Sequence, residues 1–388
     1  MSVRTGLDVL AATNFEALKG KTVGVLCHHA SVDRNYRHIA FHLRDAQAKG
    51  TLKVSVIFSP EHGLWGGADR RIDSKNEPEP RTGFLVHSLY GEVRRPTREM
   101  MQGIDAFVVD LQDVGARFYT YTWSMANCLA ACEEFGVPVY VLDRPNPIGG
   151  VRVEGPVLES QFSSFIGLHP IAQRHGMTFG EIAMWLKAKV HPKLDLKVLR
   201  CEGWRRTMAF EETKLPWIVP SPNMPRVETA FVYPGICLLE GTNMSEGRGT
   251  TRPFETFGHP KVDGWKLAEN LNDLGLPGAQ FRPLFFQPTW SKNAGQGCGG
   301  CFLHVTDRMK FEPVFATIVM LTLVKKQAPE ALGWEQESRR TRFDRLAGCS
   351  WLREAIAGGE FVTSIRERIE SSTKAFLAER SRALLYEG

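Results

Sequence analysis

Short apolar runs recur through the first 150 residues and alternate with segments of mixed polarity. The apolar runs are Val23–Cys27, Val54–Phe58, Ala106–Val109 and Val137–Leu142. The segments between them predict helices at Tyr36–Ala48, Thr97–Gln102 and Thr122–Phe135. Continuous apolar strands that alternate with helices are typical of a parallel sheet covered on both faces. The first part of the chain is therefore predicted to be of the α/β class, with a doubly wound parallel sheet.

The pattern becomes less regular in the second half of the chain. Thr178 followed by Glu181 has the spacing of a capping box and predicts the start of a helix. A proline-rich connector at residues 216–225 indicates a domain boundary, which divides the chain into residues 1–226 and 227–388. Beyond it, the sequence predicts a strand at Gly300–Val305 and helices at Val314–Lys326, Cys349–Ala357 and Ile365–Glu387.

Composition and charge exclude several classes of function. The chain has 388 residues, a net charge of +5 and no block rich in lysine or arginine, so a nucleic-acid partner is not indicated. The longest apolar stretch, Val314–Val324, is too short to cross a bilayer, and no transmembrane segment is predicted. Residues 1–8 lack the apolar region of a secretory signal. We therefore expect a cytoplasmic protein, while an exported form cut from a longer precursor stays open.

The eight cysteines are expected to be buried thiols of a reducing compartment. Cys298 and Cys301 form an isolated C-x-x-C pair, and no second pair follows at the spacing of a zinc site. No G-x-G-x-x-G follows the first strand, so the signature of a dinucleotide-binding fold is absent.

Polar side chains follow each of the four predicted strands. They are His28 and His29 after the first strand, Glu61 and His62 after the second, Asp110, Gln112 and Asp113 after the third, and Asn146 after the fourth. In open α/β sheets, ligands bind beyond the carboxyl ends of the strands. Ordinary turn preferences explain residues 143–147 but not glutamate, histidine or glutamine. These residues, beside a long polar loop at 63–91, therefore predict a functional cleft.

Glu61 is the leading candidate for a proton donor, because a carboxyl on a partly apolar rim holds its proton more firmly than one in water. Asp113, with His62, is the candidate partner, and two carboxylates in one cleft are typical of glycoside hydrolysis. Asp110 and Arg117 are candidates for binding the substrate at the same site, or Asp110 could be a helix cap or a buried partner of Arg117 or Arg144. Tyr119 and Tyr121 could contact a sugar ring, although core packing would also explain them.

A second group of candidates lies between residues 240 and 250. Glu240, Asn243 and Arg248 stand among glycines that allow a ligand to approach the backbone, and Arg248 could bind a carboxylate. The spacing does not match a phosphate-binding loop, while a plain turn remains an alternative. His175 is a further candidate for binding the substrate. The histidines could also hold a metal with Asp110 and Asp113, but no H-E-x-x-H motif is present and no metal is predicted.

The motifs together resemble the exo-β-N-acetylmuramidase family of bacterial peptidoglycan glycosidases. The matching segments cover nearly the whole chain and include FSPEHG at Phe58–Gly63, DLQDVGARFYTY at Asp110–Tyr121, LDRPNPIGG at Leu142–Gly150, VEGP at Val153–Pro156, RHGM at Arg174–Met177, PSPNM at Pro220–Met224, LEGTN at Leu239–Asn243 and GRGT at Gly247–Thr250. One segment departs from the family: Cys27–Ser31 stands where Thr-Asn-Gln-Thr-Gly is usual.

The resemblance implies a Rossmann-like N-terminal domain, a smaller C-terminal α/β domain and a cleft between them. It implies release of N-acetylmuramic acid from the non-reducing end of peptidoglycan fragments, without a nucleotide cofactor, and it makes Glu61 the catalytic residue. Arg248 would suit the lactyl carboxylate of the sugar. The expected partners are peptidoglycan-derived saccharides or muropeptides, and the oligomeric state stays open.

Two other functions compete with this prediction. One is a metal-dependent amidase or deacetylase that acts on the same amino sugars. The other is a non-catalytic muropeptide-binding protein, because two α/β lobes around a cleft are also typical of solute receptors.

Overall fold

A computed structural model describes residues 2–67, 78–337 and 340–388 of the chain. The strands are β1 (Thr22–Cys27), β2 (Lys53–Ser59), β3 (Val86–Ser88), β4 (Ala106–Asp110), β5 (Val139–Leu142), β6 (Glu154–Val157), β7 (Ala172–Arg174), β8 (Leu196–Leu199), β9 (Thr256–His259), β10 (Ala279–Phe286), β11 (Cys298–Val305), β12 (Gln336–Glu337) and β13 (Arg340–Thr341). The helices are α1 (Gly6–Ala12), α2 (Ile39–Ala48), α3 (Tyr121–Phe135), α4 (Phe179–Lys189), α5 (Val227–Ile236), α6 (Gly264–Asp273), α7 (Pro313–Gln327), α8 (Arg342–Ala347), α9 (Trp351–Gly358) and α10 (Val362–Ser381).

A six-stranded parallel sheet organises the first half of the chain. Its strand order is β3-β2-β1-β4-β5-β8, and each neighbouring pair is parallel. The order reverses between β1 and β4, which is the position where open α/β sheets bind ligands. The predicted α/β fold with a parallel sheet is confirmed, as is the capping box that begins α4 at Thr178.

Two local predictions differ from the structure. The predicted helix at 97–102 is a series of turns, because Pro96 and Gly103 flank a segment too short to sustain a helix. The predicted loop at 63–91 contains the short strand β3, which was not expected, and its residues 68–77 lie outside the described part of the chain.

The two faces of the parallel sheet pack into different hydrophobic clusters. Leu7 of α1 and Leu43 of α2 cover one face. Trp123 of α3 and Trp185 of α4 belong to a larger cluster that also contains much of the second half of the chain. The second half is thus joined to the sheet through a continuous core. Among the helices of the described residues, none combines the length and apolar character that a bilayer crossing needs.

The second half contains a three-stranded antiparallel sheet in the order β10-β11-β9, with α5, α6 and α7 packed nearby. Helix α5 approaches α7 closely at Gly235, where a Cβ atom would lie only 2.0 Å from the Pro313 carbonyl oxygen. This smaller unit of strands and helices agrees with the expected second α/β region, while the boundary at residue 226 stays a prediction.

Segments from the second half return to the first sheet. The Tyr386 hydroxyl donates a 2.6 Å hydrogen bond to the Asp143 carboxylate, which follows β5. The Arg380 guanidinium on α10 donates to the carbonyls of His175 and Gly176 at 3.1 and 2.7 Å. These contacts tie the C-terminal segment to the loop after β5 and to the loop between β7 and α4.

Arg117 links the two halves from within the core. Its fully buried guanidinium donates to four carbonyl oxygens at 2.7–3.0 Å, those of Pro156, Ile171, Leu346 and Ala347. The last two carbonyls lie at the end of α8, so one side chain satisfies backbone groups from distant parts of the chain.

We predict that Arg117→Met lowers the free energy of unfolding by about 3 kcal/mol or more, because buried carbonyl oxygens lose their donors. Urea denaturation measures this loss. Arg95→Met is the matched control, since Arg95 forms a surface ion pair with Glu134, and it should stay within about 0.5 kcal/mol of the wild type. Equal midpoints for the two variants would contradict the linking role of Arg117.

A second prediction concerns His38, which caps α2. Its Nδ1 accepts the Ala40 amide proton, so its Nε2 carries a proton and donates to the His28 carbonyl at 2.8 Å. Burial lowers the pKa of His38 to about 4. The unfolded chain, with an ordinary histidine pKa near ~6.5, therefore binds more protons than the folded chain between these two values.

Stability should fall as the pH decreases through this window, and His38 alone should account for about 2 kcal/mol between pH 7 and pH 5. Unfolding free energies of the wild type and His38→Asn at the two pH values test this. The variant keeps a side-chain cap and should lose less stability on acidification. An equal loss in both proteins would contradict the prediction.

Candidate active site

A cavity of about 330 Å³ lies between the two halves of the chain. Its lining residues are Glu61 from the first half and Glu240, Glu246, Arg248, Trp290, Ser291, Lys292 and Arg342 from the second half. A cavity of this volume suits one sugar ring. Three of the lining residues, Glu61, Glu240 and Arg248, are among those that the sequence predicted.

The end of β2 places Glu61 at the cavity. The chain leaves the strand at Pro60 and turns through His62 and Gly63, whose φ angles of 70° and 74° are both left-handed. A left-handed histidine is uncommon, and such backbone strain is often found at functional sites. The turn leaves the Glu61 side chain half-buried, with part of its surface on the cavity.

Hydroxyl groups hold the Glu61 carboxylate. Thr120 Oγ1, at the beginning of α3, donates a 2.7 Å hydrogen bond to Glu61 Oε2 instead of capping the helix. Burial, together with a hydrogen bond to Glu61, raises the pKa of the Tyr90 phenol, so this group stays protonated as a donor. The Tyr121 hydroxyl is shared between two carbonyl oxygens, that of Pro220 at 2.8 Å and that of Glu61 at 3.2 Å. Among the described residues, no basic side chain forms an ion pair with Glu61.

The opposite wall is a network of alternating charges. Glu240 accepts hydrogen bonds from Arg248 and Arg342, each at 2.7 Å, one to each carboxylate oxygen. Glu246 lies 3.4 Å from Arg248 Nε and 3.5 Å from Lys292 Nζ. Although burial alone would raise it, the two arginines hold the pKa of the Glu240 carboxyl below its ordinary value.

Asp113 and His175 form a buried pair that does not line the cavity. Asp113 Oδ2 is 3.1 Å from His175 Nε2, and both side chains are at most 2% exposed. Because His175 Nδ1 accepts the Met177 amide proton, Nε2 carries a proton towards Asp113. The hydrogen-bond angles at the pair are poor, and both oxygens of Asp113 are otherwise unsatisfied. A direct catalytic contact by Asp113 stays a prediction.

The structure gives three predicted binding residues internal partners away from the cavity. Asp110 forms a buried pair with Arg144 at 2.5 and 2.9 Å, which is one of the alternatives that the sequence left open. Arg117 binds the carbonyls described above. Asn146 donates to the Met177 carbonyl at 2.9 Å and accepts from the Ile148 amide at 3.1 Å. Their polar groups are used inside the fold, so none of these residues is placed to bind substrate directly.

His28 and Gln112 lie behind the site. The Gln112 amide donates to His28 Nε2 at 3.0 Å, and the His28 ring packs edge-on against Tyr121 at 4.7 Å between centroids. Complete burial holds the pKa of His28 well below its ordinary value, so the ring is neutral. His28 therefore supports Tyr121, and through it the Glu61 backbone. Its neighbour His29 contacts the Val219 carbonyl in the proline-rich connector.

Three further candidates flank the site without lining the cavity. Tyr119 is buried with its ring 4.7 Å from Tyr121. His62 lies in the turn directly after Glu61. Asn243 is exposed, and its carbonyl accepts a 3.1 Å hydrogen bond from the Asn293 side chain.

Sequence reasoning missed five lining residues: Glu246, Trp290, Ser291, Lys292 and Arg342. Glu246 directly precedes the Gly247–Thr250 motif and could have been found with it. Trp290 to Lys292 lie in the polar loop between β10 and β11, for which the sequence offered no motif. Arg342 reaches the cavity only because α8 packs against the turn that carries Glu240.

Metal and thiol chemistry have little geometric support. Within the described ranges, no three His, Cys, Asp or Glu side chains converge as a set that could hold a metal ion. The eight cysteines are buried free thiols, as expected from the sequence. Burial raises the pKa of Cys298 to about 11 and that of Cys301 to about 12, so neither is a reactive thiolate near neutral pH.

Comparison with known proteins identifies relatives along nearly the whole length of the chain. The family model for the N-terminal part of exo-β-N-acetylmuramidase NamZ matches residues 23–228, and the model for its C-terminal part matches residues 231–386. The chain is 42% identical over 384 residues to the peptidoglycan β-N-acetylmuramidase NamZ of Bacillus subtilis (strain 168), covering 99% of this chain and 91% of that protein.

Two solved structures have a similar fold. One DUF1343 family protein of Bacteroides fragilis NCTC 9343 superimposes with a TM-score of 0.91 at 32% identity, covering 100% of this chain and 99% of that one. A second DUF1343 family protein of the same strain gives a TM-score of 0.78 at 29% identity and the same coverage. With both parts of the family model matched in order along the sequence, this chain belongs to the exo-β-N-acetylmuramidase family.

Proposed function

We propose that this protein is a glycoside hydrolase that releases N-acetylmuramic acid from the non-reducing end of peptidoglycan fragments, with Glu61 as the general acid. Membership of the family supports the reaction. The observation that carries the role of Glu61 is its position: its carboxylate lies on a cavity of the size of a sugar, and within the described part of the chain it is held by hydroxyl groups rather than by a basic side chain. The substrates of this reaction are saccharides and muropeptides that end in N-acetylmuramic acid.

The geometry fits the proton transfer that this reaction needs. Thr120 Oγ1 holds Glu61 Oε2 at 2.7 Å, and the side chain lies on the cavity, where its carboxyl group can face a glycosidic bond. Donation of a proton from the Glu61 carboxyl group to the glycosidic oxygen allows the bond to the anomeric carbon to break as positive charge develops on the sugar ring. A salt bridge to Glu61 would oppose this step, because a nearby cation favours the ionised carboxylate.

The remaining roles rest on the sequence alone. Asp113 as the group that orients the acetamido substituent or a water molecule stays a prediction, and so does the cytoplasmic location. The competing functions, a metal-dependent amidase or deacetylase and a non-catalytic binding protein, are not favoured by the family to which the chain belongs.

We predict that Glu61→Gln lowers kcat on a chromogenic N-acetylmuramide by about 10²- to 10⁴-fold, the usual contribution of a positioned acid. The substitution preserves shape and hydrogen bonding to Thr120, so the thermal midpoint should change little. Initial rates of chromophore release from the β-glycoside measure the effect. Glu99→Gln is a matched control, because Glu99 lies outside the cavity lining, and it should retain full activity.

The same assay separates the proposed function from its competitors. An amidase or deacetylase would leave the chromophore attached, and a binding protein would release none. Full activity of Glu61→Gln would remove the proposed acid, and a preference for the N-acetylglucosaminide over the N-acetylmuramide would contradict the proposed specificity.

A further inference from the structure

We infer, on the basis of the proposed function, that Arg248 and Lys292 together bind the lactyl carboxylate that distinguishes N-acetylmuramic acid from N-acetylglucosamine, and that Glu240 and Glu246 are positioning residues behind them. The two sugars share the ring and the acetamido group, so a protein that prefers one must recognise the lactyl group. The third cation on the cavity wall, Arg342, has carboxylates beside both terminal nitrogens, Glu240 at 2.7 Å and Glu335 at 3.6 Å, which leaves Arg248 and Lys292 for this recognition.

The network presents its cations to the cavity and keeps its acids behind them. The side chains of Arg248 and Lys292 are 26% and 24% exposed, whereas those of Glu240 and Glu246 are only 11% and 2% exposed. On this wall, a ligand that enters the cavity therefore contacts the guanidinium and ammonium groups before it reaches Glu240 or Glu246. The buried acids fix the positions of the cations before any ligand arrives.

Both cations keep hydrogen-bonding capacity for a ligand. The described contacts of Arg248 involve Nη2 with Glu240 at 2.7 Å and Nε with Glu246 at 3.4 Å, so Nη1 is left for a ligand. Lys292 donates one short hydrogen bond, 2.6 Å, to the Leu239 carbonyl and lies 3.5 Å from Glu246. An ammonium group has three N–H donors, so at least one is available to donate a hydrogen bond to an incoming carboxylate.

The charge balance also favours an anionic ligand. When Glu61 carries its proton, as a general acid must, the lining contains three cations (Arg248, Lys292 and Arg342) and two carboxylates (Glu240 and Glu246), a net charge of +1. One bound carboxylate neutralises this charge. Glu335, 3.6 Å from Arg342, lies outside the lining and is 43% exposed, so solvent screens its contribution. Burial lowers the pKa of Lys292. A bound anion would oppose this effect, because it favours the charged ammonium form.

The remaining lining residues suit the sugar that would carry this carboxylate. The indole of Trp290 is 39% exposed at the cavity and offers an apolar surface to a sugar ring. Glu61 stands on the wall from the first half of the chain, while the cations stand on the wall from the second half. A ring bound between these walls could place its anomeric oxygen at Glu61 and its lactyl group at Lys292.

The test compares two substrates that differ only in charge: the chromogenic N-acetylmuramide and its analogue with the lactyl carboxylate converted to a carboxamide. We expect the wild type to have a higher kcat/KM on the acid. Lys292→Met should lower kcat/KM on the acid by about 10- to 100-fold, as expected for the loss of a hydrogen bond to a charged group, and should change the carboxamide little. Lys292→Arg should recover part of the loss.

Two controls separate recognition from folding. Lys310→Met removes a lysine that is 70% exposed and lies outside the cavity lining, and it should leave both substrates unaffected. Thermal melting shows whether Lys292→Met is folded. Added salt should raise KM for the acid in the wild type, and this dependence should be weaker in Lys292→Met.

The outcomes distinguish this inference from the proposed function. Equal losses on both substrates, or a wild type that does not discriminate between them, would overturn carboxylate recognition while leaving the hydrolase intact. If neither glycoside is hydrolysed, the proposed function fails, and calorimetry with free N-acetylmuramic acid then decides the inference. Binding that weakens in Lys292→Met supports it, and binding equal to that of N-acetylglucosamine overturns it.

Discussion

The arrangement of the two halves depends on a buried cation that is held by backbone carbonyls alone. Among the described residues, Arg117 has no carboxylate partner, and its guanidinium donates to carbonyls from β6, from the residue before β7 and from the end of α8. Burial lowers its pKa to about 10, so it remains charged near neutral pH. Because a buried charge is tolerated only where several dipoles converge on it, this one group requires the segments to stay together. The cavity between the halves exists only while they do.

The cavity combines two electrostatic environments. Among the described residues, the hydroxyl groups of Thr120 and Tyr90 hydrogen-bond to the Glu61 carboxylate, and no basic side chain pairs with it. The facing wall keeps its charges in a fixed network in which each acid touches two cations. Fixed charges need no reorganisation when a ligand arrives, and this is an efficient way to bind an anionic substituent. If the proposed roles hold, this separation lets one wall perform the chemistry while the other selects the sugar.

The sequence was sufficient for the features that follow from local pattern. Apolar runs located β1, β2, β4 and β5, and the parallel sheet then placed Glu61 at the edge formed by the carboxyl ends of its strands. The same reasoning grouped Asp110 and Asn146 with Glu61, because residues that follow neighbouring strands look alike until their partners are known. In the structure, Asp110 accepts a hydrogen bond from Arg144 and Asn146 accepts one from the Ile148 amide, so both side chains are engaged inside the fold.

The opposite wall of the site could not be found in this way. Lys292 and Arg342 are separated by 50 residues in the sequence, and neither stands in a motif. They meet because a loop of the antiparallel sheet and the beginning of α8 approach the same turn. Contacts between segments so distant in sequence arise only when the core assembles, and the local pattern of apolar and polar residues does not predict them.

The contact between Tyr386 and Asp143 has a consequence for biosynthesis. Asp143 emerges from the ribosome long before Tyr386. Until Tyr386 is made, the Asp143 carboxylate lacks the hydrogen bond that the Tyr386 hydroxyl donates in the finished fold. The Leu385 amide and the Glu181 carboxylate form a similar late contact at 2.8 Å. The parallel sheet is synthesised first, and its contacts with Leu385 and Tyr386 form only after translation reaches the C-terminal segment.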